Sequence, residues 1–114
     1  MAIGAAVAAP ERPILAIVGD GGWLFTLSEM AVANDLQQRI TLLLWDNTGY
    51  AQIRESFDDV DAARMGVDIS SHDPTAIARG FGWEAIEVTT PPQLKEALDS
   101  AFTSNAPRFI RVRL

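Results

Sequence analysis

A chain of 114 residues, nearly half of them apolar and about a fifth charged, suffices for one domain with a modest core and leaves no room for a second. Its net charge of −6 argues against a nucleic-acid surface, and no apolar run reaches the length of a membrane span. The absence of cysteine rules out disulfides and thiolate chemistry and fits a reducing compartment, so a cytoplasmic location is expected.

The first segment, Met1 to Ala9, is apolar and built from small residues. No basic stretch precedes it, as a signal peptide requires, so it reads as a helix that packs on the sheet. Pro10-Glu11-Arg12-Pro13 ends it and leads into an apolar strand, Ile14 to Val18. Gly19-Asp20-Gly21-Gly22 follows as a turn. Trp23 to Gln38 then reads as one helix, with Leu24, Leu27, Ala31 and Leu36 inward and Glu29, Asp35, Gln37 and Gln38 toward water. A second apolar strand, Ile40 to Trp45, ends in the polar turn Asp46-Asn47-Thr48-Gly49. Two all-apolar strands suit a sheet covered on both faces.

Tyr50 to Phe57 forms a short helix with Ile53 and Phe57 on one face. The acidic run Asp58-Asp59-Val60-Asp61 lacks the glycine and distal glutamate of a calcium loop and reads as solvated. Residues 58–72 are expected to form a mobile loop over the site. His72, the single histidine, reads as a loop residue ahead of Asp73-Pro74, an N-cap followed by proline in the first turn. That helix stops at Gly80-Phe81-Gly82. Trp83 to Val88 is the third strand, and Thr90-Pro91-Pro92-Gln93 opens a helix in capping-box form, with Leu94, Leu98, Ala101 and Phe102 inward. Pro107 to Leu114 is the last strand, and its Arg108, Arg111 and Arg113 read as strand-edge charges.

Strands alternating with helices predict an α/β fold: one three-layer α/β/α domain over residues 1–114 with a mainly parallel sheet. Strand, glycine turn, helix, strand and polar turn make a right-handed crossover unit, which lays its two strands parallel and side by side. Both polar turns then fall at the carboxyl edge of one sheet, where open α/β sheets bind ligands. Asp20 offers an anionic oxygen, Asn47 an amide oxygen, and the Thr48-Gly49 turn its carbonyls. These hard ligands suit Mg²⁺ or Ca²⁺ held jointly with phosphate oxygens. Gly21 and Gly22 allow close approach of backbone to ligand, and the helix start after them offers N–H groups to an anion. A divalent cation between Asp20 and a phosphate removes their repulsion. The residues therefore describe a metal-bridged diphosphate site.

Gly19-Asp20-Gly21, twenty-five intervening residues and then Asn47 resembles the GDG…N signature of thiamine-diphosphate (ThDP) enzymes. The likeness is to the C-terminal, diphosphate-binding domain of the acetolactate synthase and 2-oxo-acid decarboxylase group. It extends to Leu27-Ser28-Glu29-Met30-Ala31, Gly49-Tyr50, Gly66-Val67-Asp68-Ile69 and Ala76 to Gly82, and so covers essentially the whole chain. The resemblance implies that Asp20, the Asn47 side chain and the Gly49 carbonyl bind Mg²⁺. It implies further that Gly19, Gly21, Gly22 and Tyr50 belong to the cofactor site, with Gly21 and Gly22 against the diphosphate. Gln52 and Arg54 become candidate substrate contacts. Many relatives carry Asn where Asp46 stands, and Ser or Ala where Gly22 stands; neither change removes a metal ligand.

The activity implied is decarboxylation or carboligation of a 2-oxo acid with ThDP and Mg²⁺. In that family a glutamate on a separate pyrimidine-binding domain promotes loss of the thiazolium proton. No counterpart of that domain is visible, so a homo-oligomer or a partner chain carrying it is expected, and the isolated chain is expected to turn over little or not at all. Two other readings remain open at this point. One is a non-catalytic remnant of the fold acting as a structural or interaction module. The other is a generic nucleotide-binding module, which the missing third spaced glycine disfavours.

Overall fold

The computed structural model describes residues 1–47, 50–66 and 72–113, with residues 51 and 52 described by their backbone alone. Its strands are β1 (Ile14–Gly19), β2 (Ile40–Trp45), β3 (Glu84–Val88) and β4 (Arg108–Val112). Its helices are α1 (Ala2–Ala8), α2 (Asp20–Leu24), α3 (Glu29–Asp35), α4 (Ala51–Asp59), α5 (Pro74–Gly80) and α6 (Pro91–Thr103). The four strands form one sheet in the order β1-β2-β4-β3, every neighbour pair parallel. Each parallel pair needs a crossover, and helices supply them.

Strand alternation divides the side chains between two faces. On one face Val18, Leu42, Leu44, Ala85 and Phe109 meet α1, α2, α3 and α5 through Ala6, Trp23, Met30, Ala33 and Ala78. On the other, Leu43, Val88, Ile110 and Val112 meet Ala97 and Ala101 of α6, with Leu94 and Leu98 beside them. The result is the expected α/β/α layering. The buried stripe of α6 runs through Ala97, with Phe102 displaced to a 39% exposed position.

Coverage of the sheet is unequal. Among the described residues α6 lies over β3 and β4, while β1, at the sheet edge, leaves Ile17 68% exposed on that same face. The apolar run of β1 is thus covered on one face only in this chain.

The region expected as one helix from Trp23 to Gln38 is two. Helix α2 begins earlier, at Asp20, and ends at Leu24; α3 begins at Glu29. Between them the bonds tighten to an i→i−3 pattern: Thr26 N donates to Trp23 O and Glu29 N to Thr26 O. The Thr26 hydroxyl bonds the carbonyls of Gly22 and Trp23, competing with continuation of the helix. The break resets the phase of the inward face. Trp23, Met30 and Ala33 are the buried residues, whereas Leu36 of the expected stripe is 46% exposed.

Two helix starts match their sequence signals. Asp73 caps α5, its Oδ1 accepting from the amides of Thr75 and Ala76. Thr90 caps α6, and Gln93 Oε1 reaches back to the amide of Thr89. His72 is more than a loop residue: its ring stacks on Trp23 at 5.9 Å.

Candidate functional site

The register of β1 and β2 builds the site. Gly19 pairs with Trp45, the last residues of two adjacent parallel strands. Asp20 and Asp46-Asn47 therefore leave the sheet side by side at its carboxyl edge. The β-region backbone of Gly19 (φ −81°, ψ 164°) turns the chain directly into α2, so Asp20 is the first helical residue. Asp20 is 8% exposed, and its Oδ1 accepts from the Gly21 amide at 2.8 Å.

Of the three glycines at this edge, Gly19 faces open space while Gly21 and Gly22 are packed against protein side chains. A Cβ on Gly19 would meet nothing within 4 Å, so the backbone there faces free space. A Cβ on Gly21 would lie 2.8 Å from Tyr50 Cδ1 and closer still to Cε1. The Tyr50 ring thus rests against the glycine backbone, joining the turn after β2 to the turn after β1. On Gly22 a Cβ would stand 3.2 Å from Val18 Cγ2. Beneath the turn, Trp23 is fully buried; its ring packs on Phe109 at 5.5 Å and its Nε1 lies 3.3 Å from Met30 Sδ. Trp23 pins the first turn of α2, and Asp20 with it, to the sheet.

Asn47 is exposed, and its carbonyl accepts from Arg54 Nη2 at 3.4 Å. Of the expected ligands, Gly49 lies outside the described residues, as does Val67 to Ile69. Of the two candidate substrate contacts, Arg54 is thus engaged with the β2 exit, and the Gln52 side chain lies outside the description. In the acidic run at the end of α4, Asp58 pairs with Arg64, which holds its carboxyl below the usual range. Among the described residues no trio of His, Cys, Asp or Glu gathers to hold a metal unaided. A cation beside Asp20 therefore needs other oxygens, such as those of Asn47 and a phosphate.

Arg111 is the residue that sequence reasoning undervalued. It stands on β4 between Leu44 of β2 and Glu87 of β3. Its Nε and Nη2 reach Asp46 Oδ2 at 2.6 and 2.5 Å, and its Nη1 reaches Glu87 Oε2 at 2.8 Å. Both Arg111 and Asp46 are largely buried, with side chains 15% and 6% exposed. No sequence signal marks it, because its partners are set by strand order: Glu87 is its register partner on β3, and Asp46 lies two residues past Leu44, its register partner on β2.

An all-parallel α/β sheet with polar turns at the carboxyl ends of adjacent strands is of the class that binds ligands at that edge. The chain belongs to the thiamine-diphosphate enzymes: the family described as "Thiamine pyrophosphate enzyme, C-terminal TPP binding domain" matches residues 1–112. It is 33% identical over 112 residues to the "Probable 2-ketoarginine decarboxylase AruI" of Pseudomonas aeruginosa, covering 97% of this chain and 20% of that protein. It is 28% identical over 111 residues to the acetolactate synthase of Bacillus subtilis, with the same coverage of each. Among solved structures it superposes on a thiamine-diphosphate-dependent 4-hydroxybenzoylformate decarboxylase of Rhodococcus jostii. The TM-score is 0.91 at 26% identity, over 98% of this chain and 21% of that one. The chain spans about one fifth of the length of these relatives. No described helix is long and apolar enough to cross a membrane.

Proposed function

We propose that this chain is the diphosphate anchor of a ThDP-dependent enzyme acting on a 2-oxo acid. In this reading Asp20 and the Asn47 side chain bind Mg²⁺, and the Gly49 carbonyl completes the protein's share of the ligands. The backbone of Gly19, Gly21 and Gly22 faces the diphosphate, and Tyr50 borders it. The observation that supports the reading is the pairing of Gly19 with Trp45, from which the segments carrying Asp20 and Asn47 leave adjacent strands at one sheet edge. The donor set fits the group: hard oxygens for the cation, and open glycine backbone at Gly19 where a side chain would obstruct. When bound, ThDP supplies the electron sink for cleavage or formation of a bond beside the substrate carbonyl.

The protein's own contribution is placement and charge. Asp20 is held at the first turn of α2 by the buried Trp23 beneath it. A divalent cation beside it lets the diphosphate approach a carboxylate that would otherwise repel it. In this reading a complete site also needs a pyrimidine-binding domain, and the assembly is a homo-oligomer or includes a partner chain. The relatives named above include both a decarboxylase and a synthase, so the reaction is assigned at the level of decarboxylase or carboligase.

The test is calorimetric titration of ThDP into the metal-stripped protein, with and without Mg²⁺, beside Asp20→Ala. Binding that requires Mg²⁺ and disappears in the variant is expected. Equal binding by the variant, or binding indifferent to Mg²⁺, would refute the assignment.

A further inference from the structure

The Asp46–Arg111 pair lies one residue from Asn47. Asp46 is fixed twice. Its amide donates to Val112 O at 3.0 Å, extending the β2–β4 ladder one residue past the strand, and its carboxylate is held by Arg111 at 2.6 and 2.5 Å. Arg111 is itself tied to Glu87 on the far side at 2.8 Å. Three adjacent strands, β2, β4 and β3, are thereby cross-linked at their carboxyl ends, with the exit of β2 on the side next to β1. A carboxylate at this position would otherwise bring a second negative charge beside Asp20, where an anionic ligand must enter. Paired with a guanidinium, it brings none.

We propose that Arg111 is a positioning residue. By holding Asp46 it fixes the backbone from which Asn47 is presented beside Asp20, and it keeps the Asp46 carboxylate out of the cation's coordination. This inference rests on the assignment of Asn47 as a metal ligand, and the test separates the two. Outer groups that orient a metal ligand typically change metal affinity about 10- to 100-fold when removed.

The experiment compares the wild-type chain with Arg111→Lys, Arg111→Met and the double variant Arg111→Met with Asp46→Asn. Arg108→Met serves as a control, because Arg108 pairs with Glu84 on the other face of the sheet. Two quantities are read at a temperature where circular dichroism is native. The first, without ligand, is amide exchange and the ¹⁵N order parameter at Asp46 and Asn47, relative to Leu43 and Ile110. The second is the Kd of ThDP in saturating Mg²⁺.

In Arg111→Met, exchange at Asp46 accelerates relative to Leu43, the Asn47 order parameter falls, and ThDP binding weakens about tenfold or more. Arg111→Lys, which keeps the charge but loses the fork and is the variant less prone to unfold, shows the same changes in smaller measure. The double variant binds no worse than Arg111→Met, since the carboxylate released by the single change is gone. Arg108→Met alters neither quantity. Exchange at Asp46 that rises only in step with Leu43 would make Arg111 a general stability residue and overturn the proposal. So would wild-type binding that Arg111→Met and Arg111→Lys leave unchanged. A wild-type chain that fails to bind ThDP with Mg²⁺ would refute the anchor assignment, and the exchange arm would still decide whether Arg111 holds the β2 exit.

Discussion

Gly21→Ala separates two effects of opposite sign. Gly21 is the second residue of α2 and has no positive φ, so alanine fits its backbone. Exchange of glycine for alanine in a helix gains at most about 1 kcal/mol, and less in a first turn. Against that, the new Cβ would stand 2.8 Å from Tyr50 Cδ1, and the ring must move. Overpacking of this kind costs about 1–3 kcal/mol. The clash wins, and a net loss of roughly 1–2 kcal/mol is expected from the two terms. In a Tyr50→Ala background the obstacle is gone and only the helix term remains. There Gly21→Ala becomes neutral or slightly stabilising, giving a coupling of about 1 kcal/mol or more between adjacent residues. Urea unfolding followed by tryptophan fluorescence reads all four proteins, because the buried Trp23 is two residues away. An equal loss in both backgrounds would show that the ring does not rest on Gly21 and would remove Tyr50 from the wall of the site.

Other changes follow from single contacts. Gly82 sits at φ +84° after α5, with Asn34 Nδ2 2.9 Å from where a Cβ would lie, so Gly82→Ala should cost about 1–2 kcal/mol from backbone alone, measured by the same urea curves. Trp83→Phe removes the bond from Trp83 Nε1 to Met30 O (2.9 Å) while keeping an aromatic core residue; a loss of about 1 kcal/mol is expected, and a loss near zero would show that water replaces the bond. The Asp73 carboxyl is held below its ordinary 3.8 by the Thr75 hydroxyl, then by the Ala76 amide, with Arg111 adding a smaller attraction. Its charged form is favoured in the folded state, so its contribution is complete above the unfolded value and lost as pH falls through the folded one. Thermal melts of wild type and Asp73→Ala should differ by a constant amount at neutral pH and converge below about pH 4; a gap that widens with acid would contradict the assignment.

Much of this fold is visible in the sequence because it rests on local chemistry. Apolar runs mark β1 and β2, mixed apolar and charged residues mark β3 and β4, and Asp73-Pro74 and Thr90-Pro91 mark two helix starts that recur almost residue for residue. Three features were not visible. Periodicity assigns faces but not neighbours, so the insertion of β4 between β2 and β3 could not be read. The break between α2 and α3 depends on the Thr26 hydroxyl finding two carbonyls at once, which no spacing announces. Arg111 was grouped with Arg108 and Arg113 as edge charge, because its value lies in long-range partners, Asp46 and Glu87, 65 and 24 residues away. The placement of Asp20 and Asn47 after the ends of adjacent strands is legible because a glycine turn and a strand end mark it; their role as ligands is proposed. The contact of Tyr50 with Gly21 was not, since it is set by how two turns meet.

The strand order also has a temporal consequence. β4 is the latest of the four strands in the sequence, yet it lies between β2 and β3. Until residues 108–112 exist, β3 has no neighbour and β2 has only β1. During synthesis the β1–β2 unit can assemble early, while α5, β3 and α6 wait on one late segment to join them to it. Pairings this far apart in sequence close slowly and leave strand edges open meanwhile. The half that carries Asp20 and Asn47 is therefore built first, and Arg111 arrives with the strand that completes the sheet.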